Sequence, residues 1–248
     1  MRNTKIKILE IIMIISLLLF PSSIYASDKD SNEIEIPLKV VASKSTNKYI
    51  KNAHAQVKLS CYGRNGIAYG KAEVKLLSGE RLNGKISLYL YSKTTNGFWE
   101  KQSEKKNVKI INKYKQTIKI SKNITNTRYW KVKIKGYVFD TTMKHEATSG
   151  LINKKGEKYP EKKEPYSNKK PEKPSTNLKS KLTPRDKTFR SRYIKWFKKK
   201  YPKAEIDWSD YEIHHVIPLE YGGSNKISNG IALKTENHKL YTKWWKNY

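Results

Sequence analysis

Alternating apolar and polar residues run through residues 31–148 of this 248-residue chain, and this period-two pattern is typical of half-buried β-strands. The stretches KISLYLYS and KVKIK show it most clearly. Asn-Gly pairs, which tolerate the positive φ angles of tight hairpin turns, separate such runs at 65–66, 83–84 and 96–97. The pattern predicts an N-terminal antiparallel β-sandwich or barrel-like domain over residues 27–150.

Residues 151–180 have a different composition. They contain four of the nine prolines, nine lysines and four glutamates, and very few apolar residues. Such a segment has too little apolar surface to bury a core of its own. We therefore expect an extended, disordered linker between two domains.

From Lys181 onward the aromatic residues return at helical spacing. Thr183-Pro184 is typical of an N-cap followed by the first helical residue. Aromatic residues then recur at intervals of three and four, at Phe189, Tyr193, Trp196, Phe197 and Tyr201. Residues 181–203 carry ten basic residues and one acidic residue, so the pattern predicts a basic amphipathic helix. The residues expected to contact phosphate groups are Arg185, Arg190, Arg192, Lys195, Lys198 and Lys199. A merely solvated helix face is the alternative.

The whole chain is strongly basic, with 52 Lys and Arg against 22 Asp and Glu and a formal net charge of +30. This charge indicates an anionic partner: a nucleic acid, an anionic cell-envelope polymer or a lipid surface. The single cysteine, Cys61, excludes an intramolecular disulfide and a Cys-rich zinc site. We expect it to be a buried, inert thiol.

The first 26 residues have the pattern of a secretory signal. Arg2, Lys5 and Lys7 precede an apolar run at 11–20, and the small residue Ala26 follows as a cleavage site. About ten apolar residues are too few for a membrane span, which needs roughly 20. We therefore expect export of a secreted mature chain that has no transmembrane anchor.

Three of the five histidines lie in the last 37 residues. His214 and His215 are adjacent on a predicted strand, so their side chains must point to opposite sides and serve different roles. A second strand is predicted at 231–233. A final helix, capped by Thr235 and running from 236 to about 246, would let His238 face His214. We expect the Asn229 amide at the end of the intervening loop to bond a ring nitrogen or the backbone.

This strand–loop–strand–helix pattern resembles the HNH, or ββα-metal, endonuclease family, in particular the nuclease module of colicin-type DNases and related secreted bacterial toxins. Besides the Glu-Ile-His-His segment, the matching features are Pro218, Gly222-Gly223, Asn229 and His238 at the expected spacing. The resemblance covers roughly residues 205–245. It implies a ββα-metal fold there and thus an α+β chain of two domains, the second being residues 181–248.

The resemblance also implies a role for each matching residue. His214 and His238 would be metal ligands, His215 the general base that activates water, Asn229 a positioning residue and Glu212 a supporting carboxylate. Thr242 stands where the pattern has a third histidine, one turn after His238, and is counted with the metal site. Another departure is Gly230, where the pattern has Leu.

A single divalent ion is the implied cofactor. Mg²⁺, Mn²⁺, Zn²⁺ and Ni²⁺ all stay open, because imidazole suits the transition metals and a water-rich site suits Mg²⁺.

Two functions of different class follow. The first is a secreted endonuclease that hydrolyses phosphodiester bonds, with DNA favoured over RNA and with an immunity or inhibitor protein as a further partner. In this case the β-rich domain would dock on a cell-envelope polymer. The second is a non-catalytic binding protein for an anionic wall polymer or extracellular DNA, with a degenerate HNH module.

Overall fold

A computed structural model describes residues 53–248 throughout and, before them, only the backbone of three strands within 33–49. The expected signal sequence at 1–26 lies outside the described residues. Within the part of the chain that is described, no helix is both long enough and apolar enough to cross a membrane.

Ten strands lie in the described part of the N-terminal region. They are β1 (Glu33–Val40), β2 (Lys44–Ser45), β3 (Lys48–Tyr49), β4 (Ala53–Arg64), β5 (Ile67–Ser78), β6 (Leu82–Lys93), β7 (Glu100–Lys113), β8 (Lys115–Asn123), β9 (Arg128–Val138) and β10 (Thr141–Ile152). Strands β2 and β3 form a small separate pair.

Two four-stranded antiparallel sheets are built from the remaining strands, in the orders β1-β4-β5-β8 and β10-β9-β6-β7. Each sheet has open edges. The alternating apolar residues, among them Ile86, Leu88 and Leu90, are buried, and residues of both sheets form one continuous core. The predicted antiparallel β-rich architecture is therefore confirmed. Cys61 lies in this core, where burial raises the pKa of its thiol to about 12.

Two of the three predicted Asn-Gly turns are present. Asn65-Gly66 joins β4 to β5 with positive φ at both residues, and Asn96-Gly97 lies in the turn between β6 and β7. The prediction for Asn83-Gly84 is wrong, because this pair lies inside β6 at an irregularity in its pairing with β7. A Cβ at Gly84 would come within 2.3 Å of the Tyr137 carbonyl oxygen, so glycine serves here for close strand approach.

The C-terminal region, residues 181–248, contains helix α1 (Phe189–Lys200), strands β11 (Tyr211–His215) and β12 (Gly230–Lys234), and helix α2 (Thr235–Trp245). Single turns of 3-10 helix precede β11 and β12, at Trp208–Asp210 and Ile227–Asn229. Aromatic side chains dominate the packing. Phe189, Tyr193 and Phe197 form the buried face of α1, as their spacing predicts.

The predicted start of the basic helix at Thr183-Pro184 is wrong. Residues 181–183 are extended, and their backbone donates hydrogen bonds to the carbonyl groups of 219 and 220. The carboxylate of Asp186 then accepts the backbone N–H of Thr188 at 2.8 Å, immediately before α1 begins. Pairing with a distant loop thus competes successfully with the local helix signal.

The prediction of a disordered linker at 151–180 is also wrong. Two of its few apolar side chains are buried against the C-terminal region: Leu151 and Tyr159 belong to the same cluster as Trp244 of α2. Backbone groups of the segment are satisfied by side chains from that region. The Trp244 indole N–H donates to the Glu157 carbonyl at 2.9 Å. We call residues 151–180 the strap.

Glu164 attaches the strap to the C-terminal region. Its carboxylate is buried and accepts hydrogen bonds from the Tyr193 hydroxyl, from the Ala232 backbone N–H at 3.2 Å and from Ser167 within the strap. One carboxylate therefore connects α1 to β12. Burial and the contact with Glu164 raise the pKa of Tyr193, so its hydroxyl stays protonated as a donor.

We predict that Glu164→Ala destabilises the full chain by about 1–3 kcal/mol, because it leaves the buried hydroxyl of Tyr193 and N–H of Ala232 without an acceptor. Urea unfolding measures the effect. Glu161→Ala is the matched control, since Glu161 is exposed and its ion pairs with Lys170 and Lys173 lie at the surface. Equal unfolding midpoints for the two variants would contradict the role given to Glu164.

Candidate active site

The histidines meet where β11, β12 and α2 join. β11 and β12 pair antiparallel, with His214 opposite Ile231 and His215 opposite Gly230, and α2 follows β12 without a loop. The two predicted strands and the final helix are thus present. Thr235 is the first residue of α2 rather than its cap, and its hydroxyl donates to the Asp210 carbonyl at 3.1 Å.

His214 faces α2. Its ring centroid is 5.2 Å from that of His238 and 5.1 Å from that of Tyr241. Its Nε2 is buried and has no hydrogen-bond partner. Burial, with lesser contributions from His238 and His215, lowers the pKa of His214 to about 3, so the ring is neutral at pH 7.

His215 faces the opposite side of the strand, toward α1. Its ring stacks on Phe189 with centroids 4.2 Å apart and planes 20° apart. Burial lowers its pKa, and the nearby Arg185 guanidinium acts in the same direction. The adjacent histidines are therefore held by different helices, as strand geometry predicts.

Asn225 determines which nitrogen of His215 carries the proton. Its Nδ2 donates to the Pro184 carbonyl at 2.7 Å, so its Oδ1 faces His215 Nε2 at 3.3 Å. An amide oxygen can only accept, and therefore this contact requires a proton on Nε2. In the neutral ring the lone pair is then on Nδ1, which is free to accept a proton.

Asn229 holds the loop between the strands. Its Oδ1 accepts the Ile217 N–H at 2.9 Å, and its Nδ2 donates to the carbonyl groups of Ile217 and Ser224 at 3.0 and 2.9 Å. Of the two predicted alternatives, a ring nitrogen or the backbone, the structure has the backbone. Asn225, and not Asn229, contacts the ring nitrogen Nε2 of His215.

Packing explains why position 230 is glycine, where the family pattern has Leu. A Cβ at this position would lie 2.8 Å from Tyr193 Cδ2 and 2.9 Å from Phe189 Cζ. Those aromatic rings of α1 pack directly over the backbone of β12. The glycine thus lets Phe189 reach its stacking position against His215.

All three histidines line one open cavity of about 380 Å³, together with Arg185, Glu212 and Thr242. Glu212 is exposed on β11, and its charge raises the pKa of His238, although burial makes the net shift of that pKa downward. The Thr242 hydroxyl donates to the His238 carbonyl at 3.1 Å within α2. His214 and His238 are therefore better metal donors than Thr242.

The side chains present fit a divalent metal with few protein ligands. A buried neutral imidazole nitrogen without a hydrogen-bond partner, facing a second imidazole, is a typical metal donor. Among residues 53–248, no group of three or more His, Cys, Asp or Glu side chains is arranged to hold a metal. His214 and His238 would therefore hold the ion with water or substrate oxygen in its other positions.

The six basic residues expected to contact phosphate divide into two groups. Arg190 donates to the carbonyl groups of Trp208 and Tyr211 at 2.6 and 2.7 Å, and Arg192 is paired with Asp186. These two arginines hold α1 in place. All six side chains are exposed, and of the other four, Arg185, Lys195, Lys198 and Lys199, Arg185 lies at the cavity.

No family model matches this chain, and no curated protein matches it. The resemblance to HNH nucleases therefore rests on the residues and spacing described above.

The sequence does not predict that Asn225 and Phe189 contact His215 at the site. Phe189 was recognised only as part of an aromatic helix face. Asn225 lies in a polar loop beside Ser224, and such a loop carries no local signal for a contact with Pro184, 41 residues away.

We predict that Asn225→Ala shifts the neutral ring of His215 away from the Nε2–H tautomer, because Nε2 loses its acceptor. Asn225→Asp keeps an acceptor and should retain that tautomer. Nitrogen chemical shifts of His215 report the tautomer directly. An unchanged tautomer in Asn225→Ala would contradict this role.

The division of the basic residues predicts opposite phenotypes. Arg190→Ala should destabilise the protein by about 1–2 kcal/mol, because two carbonyl groups lose a charged donor. Lys195→Ala should leave the melting temperature unchanged and weaken DNA binding with a flatter salt dependence. Thermal unfolding and binding titrations at several salt concentrations measure both. A stable Arg190→Ala variant would reverse the assignment.

Proposed function

We propose that the C-terminal region is a metal-dependent endonuclease that hydrolyses phosphodiester bonds in nucleic acid, with DNA favoured over RNA. The observation that carries the proposal is the pairing of His214 with His238 in a cavity that His215 also lines from the other side of β11. This arrangement gives two neutral donors for a metal and a separate neutral base within one site. Export directed by residues 1–26 would deliver the activity outside the cell.

Arg185 is suited to bind the phosphate. It is exposed at the cavity that contains the histidines, and its guanidinium can make two parallel hydrogen bonds to phosphate oxygens. Burial is the main reason why the pKa values of His215 and His238 are lowered, and the positive charge of Arg185 acts in the same direction.

His215 would act as the general base. With Nε2–H directed to Asn225, Nδ1 accepts the proton of the attacking water. Stacking on Phe189 and the loop bonds of Asn229 hold the ring and the chain that follows it in place. A bound divalent ion supplies Lewis-acid stabilisation of the charge that develops on the phosphate and on the leaving oxygen.

The alternative of a non-catalytic binding protein depends on the missing third histidine at Thr242. Plasmid nicking by the full chain, with and without EDTA, separates the two functions. We expect cleavage with added divalent metal and none with EDTA. Metal-independent DNA binding without any nicking would favour the alternative.

Single alanine variants test the assigned roles. We expect His215→Ala to lose about 10²–10⁴ in cleavage rate and to retain metal affinity, because the base is not a ligand. His214→Ala and His238→Ala should lose both cleavage and metal binding, which isothermal titration measures. His145→Ala, on β10 and far from the cavity residues in sequence, is the control and should cleave normally. Loss of metal in His215→Ala but not in His214→Ala would mean that the two roles are exchanged.

A further inference from the structure

The outer face of the second sheet carries lysines opposite aromatic rings. Ile86, Leu88 and Leu90 of β6 point into the core, so the alternate residues of β6 and of its neighbour β9 point outward. Across the two strands a ring faces a lysine in four pairs: Lys85 with Tyr137, Tyr89 with Lys133, Tyr91 with Lys131, and Lys93 with Tyr129. We call this set the Lys–Tyr face.

Positive charge dominates this face. No outward position of β6 or β9 is acidic. Among residues 53–248, the acidic residues beside this face lie on the edge strands: Glu104 of β7 is opposite Tyr89, and Glu146 of β10 lies 3.2 Å from Lys131 and 3.8 Å from Lys133. Lys131 also lies 4.6 Å from the ring centre of Trp99, and Lys135 lies 5.9 Å from that of Tyr89. The rings of Tyr89 and Tyr91 thus lie among cations rather than in an apolar core.

The other sheet differs in how its lysines and rings are arranged. On its outer face Glu73, on a central strand, lies between Lys71 and Lys115 and pairs with both, at 3.5 and 2.9 Å. Tyr62 and Tyr69 lie opposite each other and stack, with ring centroids 5.2 Å apart, rather than facing lysines. Lysine–tyrosine pairs between two central strands that carry no acidic residue are therefore a feature of the second sheet.

We propose that the Lys–Tyr face binds single-stranded nucleic acid. Lysines on alternate residues of a strand repeat about every 6.7 Å, which suits a row of phosphates along an extended polyanion. Tyrosine rings between them offer surfaces on which bases stack, independent of base sequence. A wall polymer without aromatic groups would use the lysines and leave the rings without a role.

The position of the face suits this ligand. Tyr129, at one end of the face, packs against the cluster that contains Val216 and Trp244 of the C-terminal region. The face therefore ends beside the proposed nuclease. The inference rests on the proposed function, because it names single-stranded nucleic acid as a form of the nuclease's substrate. Binding to the face itself requires no cleavage.

Fluorescence anisotropy of a labelled oligothymidylate with the full chain in EDTA tests the proposal without turnover. Tyr89→Leu with Tyr91→Leu should weaken binding roughly 10- to 100-fold. Lys85→Gln with Lys135→Gln should flatten the slope of log affinity against log salt by about 1.4 units, at about 0.7 per phosphate contact. The second pair changes only surface residues, so it tests the face even if the tyrosine variant fails to fold.

The matched controls lie on the other sheet. Tyr62→Leu with Tyr69→Leu removes a stacked ring pair, and Lys75→Gln with Lys119→Gln removes the same charge. Both should bind as the unchanged protein does. Weakening by the controls equal to that of the test variants would overturn the proposal. Equal affinity for an abasic strand or for polyphosphate would also overturn it, since the rings would then contribute nothing. Tight binding in EDTA without cleavage after metal is restored would refute only the proposed nuclease.

Discussion

Strand geometry at His214 and His215 is the constraint on which the candidate site depends. Adjacent residues of a strand cannot face the same way, so a metal donor and a base on neighbouring positions need support from two directions. Helix α2 supplies one support through His238 and Tyr241, and α1 supplies the other through Phe189. A site of this kind therefore requires β11 to lie between two helices.

The position of α1 in turn depends on chain outside the HNH-like pattern. Glu164 of the strap joins Tyr193 of α1 to the backbone of β12, and Arg190 joins α1 to the turn before β11. A segment rich in lysine and proline can be ordered when a larger core accepts its few apolar groups. Here Tyr159 and Leu151 supply those groups, and the aromatic cluster around Trp244 accepts them.

Burial keeps the histidines of the candidate site in their neutral form at neutral pH. All three histidines have lowered pKa values because they are partly or wholly removed from water. Neutral imidazoles are the form that binds a metal or accepts a proton. The exposed arginine at the cavity and the lysines of α1 keep the surroundings positive, which would attract an anionic ligand.

Local patterns were sufficient to predict the antiparallel sheets, the aromatic face of α1, the two short strands and the final helix, because each depends on periodicity within a few residues. They also predicted that the side chains of His214 and His215 point to opposite sides of the strand and that His238 approaches His214. The extended path at 181–183, the order of the strap and the bulge at Asn83-Gly84 were decided only in the tertiary structure. So were the partners of Asn225 and Glu164, which join groups 41 and 29 residues apart. Such contacts form only after distant elements pack, and no local pattern of residues can specify them.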